Sequence, residues 1–209
     1  MRLTGVCLSN PVTGIEIVTT EVDEEHGRRL VAEYEIQPRR LRDAFRHVHR
    51  SWTETFEILA GESCYELDGV ELRARAGDVI ELPAGVPHLH PWNVGGGTLR
   101  MRQVSVLNPP DPEALRAVGY GLATLYGMAA EGRVDAKGRP PLLQLAATLR
   151  SFQRYGIFLA DLPVGVQRLL FGALAALAWP VGVRPYYERY VLAAAGATPA
   201  AATLRKRAG

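Results

Sequence analysis

The chain has 209 residues, 47% of them hydrophobic, which is enough for a domain core with an appendage. Its formal net charge is only +2 and its basic residues are scattered, so we expect no nucleic-acid partner. Two cysteines do not make a disulfide framework, and no basic region followed by an apolar run opens the sequence. We therefore expect a cytoplasmic protein.

The first elements are predicted to be strands. Turn residues at positions 10–14 precede predicted strands over residues 15–20 and 29–36, where apolar and polar side chains alternate. The second of these strands contains Tyr34. This side chain either packs in the core with its hydroxyl at the rim, or faces an internal cavity.

The stretch from His47 to Asn93 carries the residues most suited to chemistry. His47 and His49 are two residues apart, so on a strand their imidazoles point to the same face. Glu54 follows after an odd step of five residues and reaches that face only if the chain bends within residues 50–53. Phe56 then shares the face of the carboxylate.

Turns bring in a third histidine. Asp68-Gly69 is a strong two-residue hairpin signal, and Gly77-Asp78 and Pro83-Ala84-Gly85 turn the chain again before His88. Three imidazoles and one carboxylate can therefore converge on one metal ion if these strands form a small barrel. His47, His49, Glu54 and His88 are the predicted metal ligands.

These residues resemble the two sequence motifs of the cupin superfamily. The resemblance implies a jelly-roll β-barrel in which the same four residues bind one divalent metal, with turns at Gly61, Gly77, Pro83 and Gly85. It is nearest to small single-domain bacterial members. One departure is the spacing before Asn93, since four residues separate it from His88 where three are common, and a role copied onto Asn93 is weakened.

Other residues near the motifs are candidates for acid, base or substrate contacts. His90 should share a face with His88, where it either orients a ligand and moves protons or bonds to backbone. Tyr34 and Glu81 are further candidate catalytic groups. The candidate substrate-binding residues are Trp52, Phe56, Tyr65 and Gln103. Trp52 either forms a wall of the cavity or caps the barrel.

The donor set suits Fe, Mn, Ni, Zn, Co or Cu. With Fe(II) we expect a dioxygenase acting on a small organic molecule, that is, an oxidoreductase. With Zn(II) or Mn(II) the alternative is a non-redox cyclase, isomerase, lyase or hydrolase. A non-catalytic cupin that binds a small molecule is the third possibility, because a fold alone does not fix a function.

The composition changes after Asn108-Pro109-Pro110. We expect residues 1–110 to form the barrel and residues 111–196 to form a helical extension that packs on the barrel or on a dimer partner. Helices are predicted over residues 111–130, 142–155, 163–179 and 185–195, with Asp111 as N-cap and Pro112 in the first turn of the first. Residues 197–209 are expected to be a disordered tail.

Residues 169–183 carry no charge. The run is shorter than the roughly 20 residues of a membrane span and is interrupted by Pro180, so no transmembrane span is expected. We expect a helix buried in the protein or in a homodimer interface, with peripheral membrane contact as the alternative. Four short motifs elsewhere in the chain also resemble a group of uncharacterised bacterial cupins with helical extensions. They are Asn10-Pro11-Val12-Thr13-Gly14, Lys137-Gly138-Arg139-Pro140, Gln167-Arg168 and Arg184-Pro185-Tyr186-Tyr187.

Overall fold

The computed structural model describes residues 2–38 and 45–196, so the predicted tail at 197–209 lies outside the described residues. Two antiparallel sheets face each other. The first has six strands in the order β1-β2-β3-β10-β5-β8. Its strands are β1 (Cys7–Asn10), β2 (Ile15–Val22), β3 (Arg29–Ile36), β5 (Trp52–Ala60), β8 (Val79–Leu82) and β10 (Leu99–Leu107).

The second sheet has five strands in the order β11-β4-β9-β6-β7. Its strands are β4 (His47–His49), β6 (Glu62–Leu67), β7 (Val70–Arg75), β9 (His88–Asn93) and β11 (Ile157–Leu159). Non-consecutive strands are neighbours in both sheets, as in a jelly roll. The predicted fold class, a mainly β jelly roll followed by helices, is confirmed.

Alternating side chains build the interior between the sheets. Along β5, Trp52, Glu54, Phe56 and Ile58 are buried while their neighbours are more exposed. Strand β10 alternates in the same way and pairs with β5, so its inward residues meet those of β5 directly. The core is therefore lined by matching faces of these two strands.

The predicted hairpin at Asp68-Gly69 joins β6 to β7. Asp68 has φ 49° and Gly69 has φ 81°, the left-handed values that a two-residue type I′ turn requires at both positions. Aspartate tolerates this region because its short side chain can bond locally, and glycine has no Cβ to clash.

Four helices follow the barrel close to the predicted positions. Asp111 caps the first, since its carboxylate accepts hydrogen bonds from the backbone N–H groups of Glu113 and Ala114, both at 3.0 Å. Pro112 occupies the first turn, where its missing N–H costs nothing. The helices are α1 (Pro112–Ala130), α2 (Leu142–Arg154), α3 (Val164–Ala178) and α4 (Glu188–Gly196).

The extension is attached to the barrel in two ways. Leu115 of α1 packs in a core cluster with Trp52 and Leu107 of the barrel. In addition, β11 lies between α2 and α3 in sequence and pairs antiparallel with β4. No strand was predicted in this part of the chain, so β11 is an addition to the predicted helical extension.

The resembling motifs in the extension make structural contacts. Gln167 is fully buried and its amide bonds the backbone of Leu159 in both directions, at 3.0 and 2.7 Å. The amide of Gln144 donates to the carbonyl of Arg184 at 2.9 Å, and the hydroxyl of Thr148 donates to that of Pro185 at 2.8 Å. These motifs hold β11 and the last loop against the helices.

Helix α3 is not enclosed by the residues that the structure describes. Phe171 and Ala178 are buried, but Leu169 is 77% exposed and Leu177 is 64% exposed. The expectation of burial within the protein is therefore wrong for these two leucines, and the alternative of a homodimer interface stays a prediction. Among residues 2–38 and 45–196, no helix combines the length and apolarity needed to cross a bilayer.

Candidate metal centre

Three histidines and one glutamate converge between the two sheets. The ligand atoms of His47, Glu54, His88 and His90 all lie within 4.8 Å of one another, a separation that one metal ion could bridge. His49 is adjacent, with its ring centroid 4.6 Å from that of His47 and 5.1 Å from that of His88. Three of the four predicted ligands thus lie within reach of one ion, with His90 in the place predicted for His49 and with His49 beside them.

Both sheets contribute to the cluster. Strand β4 lies in the five-stranded sheet and β5 in the six-stranded sheet, and the chain crosses between them at Arg50 and Ser51. The bend that was predicted between His49 and Glu54 is therefore the point where the chain passes from one sheet to the other. It allows the carboxylate of one sheet to face imidazoles of the other, and His88 joins them because β9 pairs with β4, with His47 opposite His88.

Two backbone carbonyls fix which ring nitrogens are available. The Nδ1 of His47 lies 2.7 Å from the carbonyl of Phe45, and the Nδ1 of His88 lies 2.8 Å from that of Val86. A carbonyl only accepts hydrogen bonds, so each Nδ1 carries the proton and each Nε2 keeps its lone pair. An imidazole held in this way is prepared to bind a metal through Nε2.

Two buried ring nitrogens have no hydrogen-bond partner among the described residues. They are Nδ1 of His49 and Nε2 of His88, each 3.6 Å from Oε2 of Glu54. Leaving a buried polar atom unsatisfied costs about 1–3 kcal/mol. Such atoms aimed at one carboxylate oxygen are the arrangement that a bound cation would satisfy.

The Oε1 atom of Glu54 is held by side chains of β10. Its Oε1 accepts hydrogen bonds from the side-chain amide of Gln103 at 2.7 Å and from the hydroxyl of Ser105 at 3.3 Å. The Tyr34 hydroxyl donates to Oε1 of Gln103 at 2.5 Å. Oε1 is therefore occupied, and Oε2 faces the histidines.

Burial and charge keep the cluster in a metal-binding protonation state. Burial lowers the pKa of His49 to about 4, although Glu54 acts in the opposite direction. Burial, followed by the neighbouring histidines, holds the pKa of His47 well below its usual value. Burial raises the pKa of Glu54, but the imidazoles of His90 and His49 outweigh it, and that pKa also lies well below normal. At neutral pH these two imidazoles are neutral and the carboxylate is ionised.

His90 contacts the carboxylate directly. Its Nε2 lies 2.7 Å from Oε2 of Glu54, and its ring stacks on that of His88 at 5.6 Å and 12°. Its side chain is 24% exposed, whereas those of His49, Glu54 and His88 are at most 6% exposed. Its Nε2 thus has a hydrogen-bond partner, unlike Nδ1 of His49 and Nε2 of His88. His90 and His47 are the partly exposed members of the cluster.

The other sequence candidates lie in different places. Phe56 is fully buried with its ring 5.1 Å from that of His90, and Tyr65 packs partly buried against the main core. Trp52 is 3% exposed between the barrel and α1, with its ring 5.7 Å from that of His49. Glu81 is exposed on the face of β8 opposite to Leu82, so we assign it no role at the cluster.

Two residues have contacts that sequence reasoning did not identify. Ser105 was not a candidate, although its position two residues after Gln103 on a strand places both on one face. Asn93 is 5% exposed and its amide donates to the carbonyls of Ile36 and Gly97, both at 2.8 Å. Asn93 therefore holds a turn, and the longer spacing before it leaves the cluster intact.

The donor set fits a divalent transition metal. Imidazole nitrogen and carboxylate oxygen are borderline ligands that suit Fe, Mn, Ni, Cu or Zn, and the two unpartnered nitrogens point inward as such an ion requires. The sequence motif assigns His47, His49, Glu54 and His88 as ligands, whereas the distances group His47, Glu54, His88 and His90. Gln103 and Ser105 would orient Glu54.

Comparison with known protein families finds a match for the part of the chain that contains the cluster. Residues 32–107 match the family described as "Cupin domain", a range that includes every residue of the cluster. No curated protein matches the chain.

Several solved structures are similar over about half of the chain. A predicted oxalate decarboxylase from Thermotoga maritima is 25% identical, with a TM-score of 0.40, and the match covers 50% of this chain and 92% of that one. A sugar phosphate isomerase from Silicibacter pomeroyi is 19% identical, with a TM-score of 0.40, over 46% of this chain and 62% of that one. The Cnp3 cupin domain of Schizosaccharomyces pombe is 14% identical, with a TM-score of 0.38, over 50% and 71%.

Proposed function

We propose that this protein, whose residues 32–107 match the cupin family, is a metal-dependent enzyme that acts on a small organic molecule, and specifically an Fe(II) dioxygenase. The observation that carries the proposal is the buried cluster in which unpartnered nitrogens of His49 and His88 face one oxygen of Glu54.

Four protein ligands leave room for chemistry. Six-coordinate ions with three imidazoles and one carboxylate keep up to two positions open for a substrate and a second small molecule. As Fe(II) the ion would supply redox chemistry with O₂, and as Zn(II) or Mn(II) it would polarise a substrate oxygen as a Lewis acid.

Residues around the cluster orient the carboxylate of Glu54 and define the side from which a substrate would enter. Gln103 and Ser105 fix one oxygen of Glu54, so the carboxylate offers its other oxygen to the ion without a further rotation. Phe56 is fully buried, and its ring lies 5.1 Å from that of His90, so it forms an apolar wall behind this imidazole. The partly exposed ring of His90 marks the side from which a substrate would enter.

His90 also favours a second candidate function. An imidazole that is bonded to Glu54 and 24% exposed can take a proton from a substrate or return one. Isomerisation, cyclisation and lyase reactions need such a group beside a polarised carbonyl. A non-redox enzyme with Zn(II) or Mn(II) is therefore the alternative to the dioxygenase.

An oxygen-consumption assay tests the proposal. Protein purified without chelators and without air is loaded with Fe(II) and offered small organic acids, diols and phenols that can chelate a metal. We expect O₂ uptake with at least one class of compound, which His88→Ala abolishes and the surface variant His26→Ala retains. Turnover with Zn(II) or Mn(II) and no O₂ uptake would instead support the non-redox enzyme.

A further inference from the structure

Helix α3 presents an apolar face to solvent. Val166 is 51% exposed, Leu169 77%, Leu170 45% and Leu177 64%. These residues recur every three or four positions, so they form one stripe along the helix. We call this stripe the outer face of α3, and its members are Val166, Leu169, Leu170, Ala173 and Leu177.

The opposite side of α3 is already in use. Gln167, Phe171 and Ala178 are buried and turn toward the rest of the extension, and Gln167 bonds the backbone of Leu159. The outer face therefore cannot turn inward without breaking this packing. The apolar surface also continues past the helix, because Trp179 is 63% exposed and Val181 is 67% exposed.

Charged residues are distributed unequally between residues 1–141, which include the barrel, and residues 142–209, which include α3. Residues 142–209 contain eight basic and two acidic residues, whereas residues 1–141 contain sixteen basic and twenty acidic residues. Between Asp161 and Glu188 there is no acidic residue, and Arg168 and Arg184 are the charged groups of this segment. The outer face thus lies in the positively charged part of an otherwise acidic chain.

This charge pattern favours an anionic surface over a second copy of the chain. In a two-fold interface both copies contribute the same patch, so both bring Arg168 and Arg184 and neither brings an acidic residue of this segment to pair with them. Anionic lipid headgroups attract such a patch, by about 1 kcal/mol for each basic residue close to the surface.

The end of α3 has a side-chain pair suited to a membrane interface. The guanidinium of Arg184 lies 3.8 Å from the centre of the Trp179 ring and donates to the Trp179 carbonyl at 2.9 Å. Tryptophan has an apolar body and one polar N–H, which places it at the boundary between headgroups and acyl chains. Arg184 at the same point would contact the headgroups.

We propose that the outer face of α3, with Trp179, docks the protein on the surface of a bilayer that contains anionic phospholipid. The helix lies in the plane of the membrane and its leucines enter the acyl boundary. The chain is then a peripheral membrane protein with its acidic barrel directed away from the lipid.

Vesicle flotation of the full chain tests this proposal. We use vesicles of phosphatidylcholine with 30% phosphatidylglycerol, and vesicles of phosphatidylcholine alone. We expect the protein to float with the first kind, and the bound fraction to fall at least tenfold with neutral vesicles or in 0.5 M NaCl. The double variant Leu169→Gln/Leu177→Gln should also lose at least tenfold, because both side chains are mostly exposed and their apolar contact is removed.

Val79→Gln is the matched control, because Val79 is 65% exposed on the barrel and away from α3. It should bind as the wild type does, and all variants should keep the wild-type melting temperature. Absence of flotation, or equal flotation of the double variant, would overturn the proposal. So would a wild-type dimer by analytical ultracentrifugation that the double variant dissociates without any vesicle binding, since a second copy would then cover the outer face.

Discussion

His49 of β4 pairs with Ile157 of β11, so a strand from the helical half of the chain lies beside the strand that carries two histidines of the cluster. On its other side, within the part of the chain that the structure describes, β4 pairs with β9 at His47 and His88 alone. Strand β11 therefore provides most of the backbone pairing of β4. The cluster and the extension are parts of one structure.

Removal of the extension should consequently damage the barrel. Ending the chain after Asn108 removes α1, which covers Trp52 and Leu107, and removes β11, which leaves β4 as an unpaired edge. We expect this truncation to aggregate, as measured by size-exclusion chromatography. Ending the chain after Gly196 is the control and should give soluble protein of normal size. A monodisperse protein ending at Asn108 would contradict the account.

The roles of His49 and His90 can be separated by metal titration. His49 has a buried nitrogen without a partner among the described residues, whereas His90 already bonds Glu54. We expect His49→Ala to weaken metal affinity by more than 100-fold, and His90→Ala by about 10- to 100-fold, which is typical of a residue that orients a ligand. Competition with a chromogenic chelator measures both. A larger loss in His90→Ala would make His90 the ligand in place of His49.

Gln103 should influence the metal without touching it. Replacement by leucine removes the hydrogen bond to Oε1 of Glu54 and lets the carboxylate rotate away from the histidines. We expect metal affinity to fall about 10- to 100-fold in the same titration. Gln37→Leu, at an exposed position beyond β3, should leave affinity unchanged. Unchanged affinity in Gln103→Leu would show that the orientation of Glu54 does not depend on this contact.

The metal-free protein should lose stability in mild acid. Burial lowers the pKa of His49 from 6.5 to about 4 and holds that of His47 well below 6.5. Below pH 6.5 the unfolded chain therefore binds protons that the folded chain does not, so stability falls as the pH falls. Each such histidine contributes about 1.4 kcal/mol per pH unit.

Urea denaturation of chelator-treated protein between about pH 6.5 and 5 measures this effect, because carboxyls of ordinary pKa stay ionised there. The variant His49→Phe should show a shallower slope. His26→Gln is the control, since the His26 side chain is 66% exposed, and it should follow the wild type. A flat stability profile for the wild type would mean that these imidazoles take up protons in the folded state.

Much of the fold could be predicted because its local signals agree. The alternating strands, the Asp68-Gly69 turn and the Asp111 cap depend on neighbouring residues, and each was found where the sequence indicated. The convergence of His47, Glu54 and His88 could also be anticipated from side-chain parity and motif spacing. Each of these features depends on residues that are close in sequence or on a fixed number of residues between them.

Other features depend on packing that a sequence does not display. Strand β11 has three residues, too few to show a period, and it forms because β4 offers an unpaired edge. The contact of Gln103 with Glu54 depends on the register of β10 against β5, which places Ser105 opposite Glu54. The alternation of side chains along a strand does not determine that register. The exposed face of α3 is as apolar as its buried face, so composition could not show which side is covered.

The metal content of the purified protein tests the central claim most directly. Protein prepared without chelators and without air is assayed by elemental analysis beside His88→Ala and the surface control His26→Ala. The account predicts about one transition-metal ion per wild-type chain, retained in His26→Ala and lost in His88→Ala, with iron as the metal of the proposed dioxygenase. Equal metal content in the wild type and His88→Ala would contradict the proposed centre.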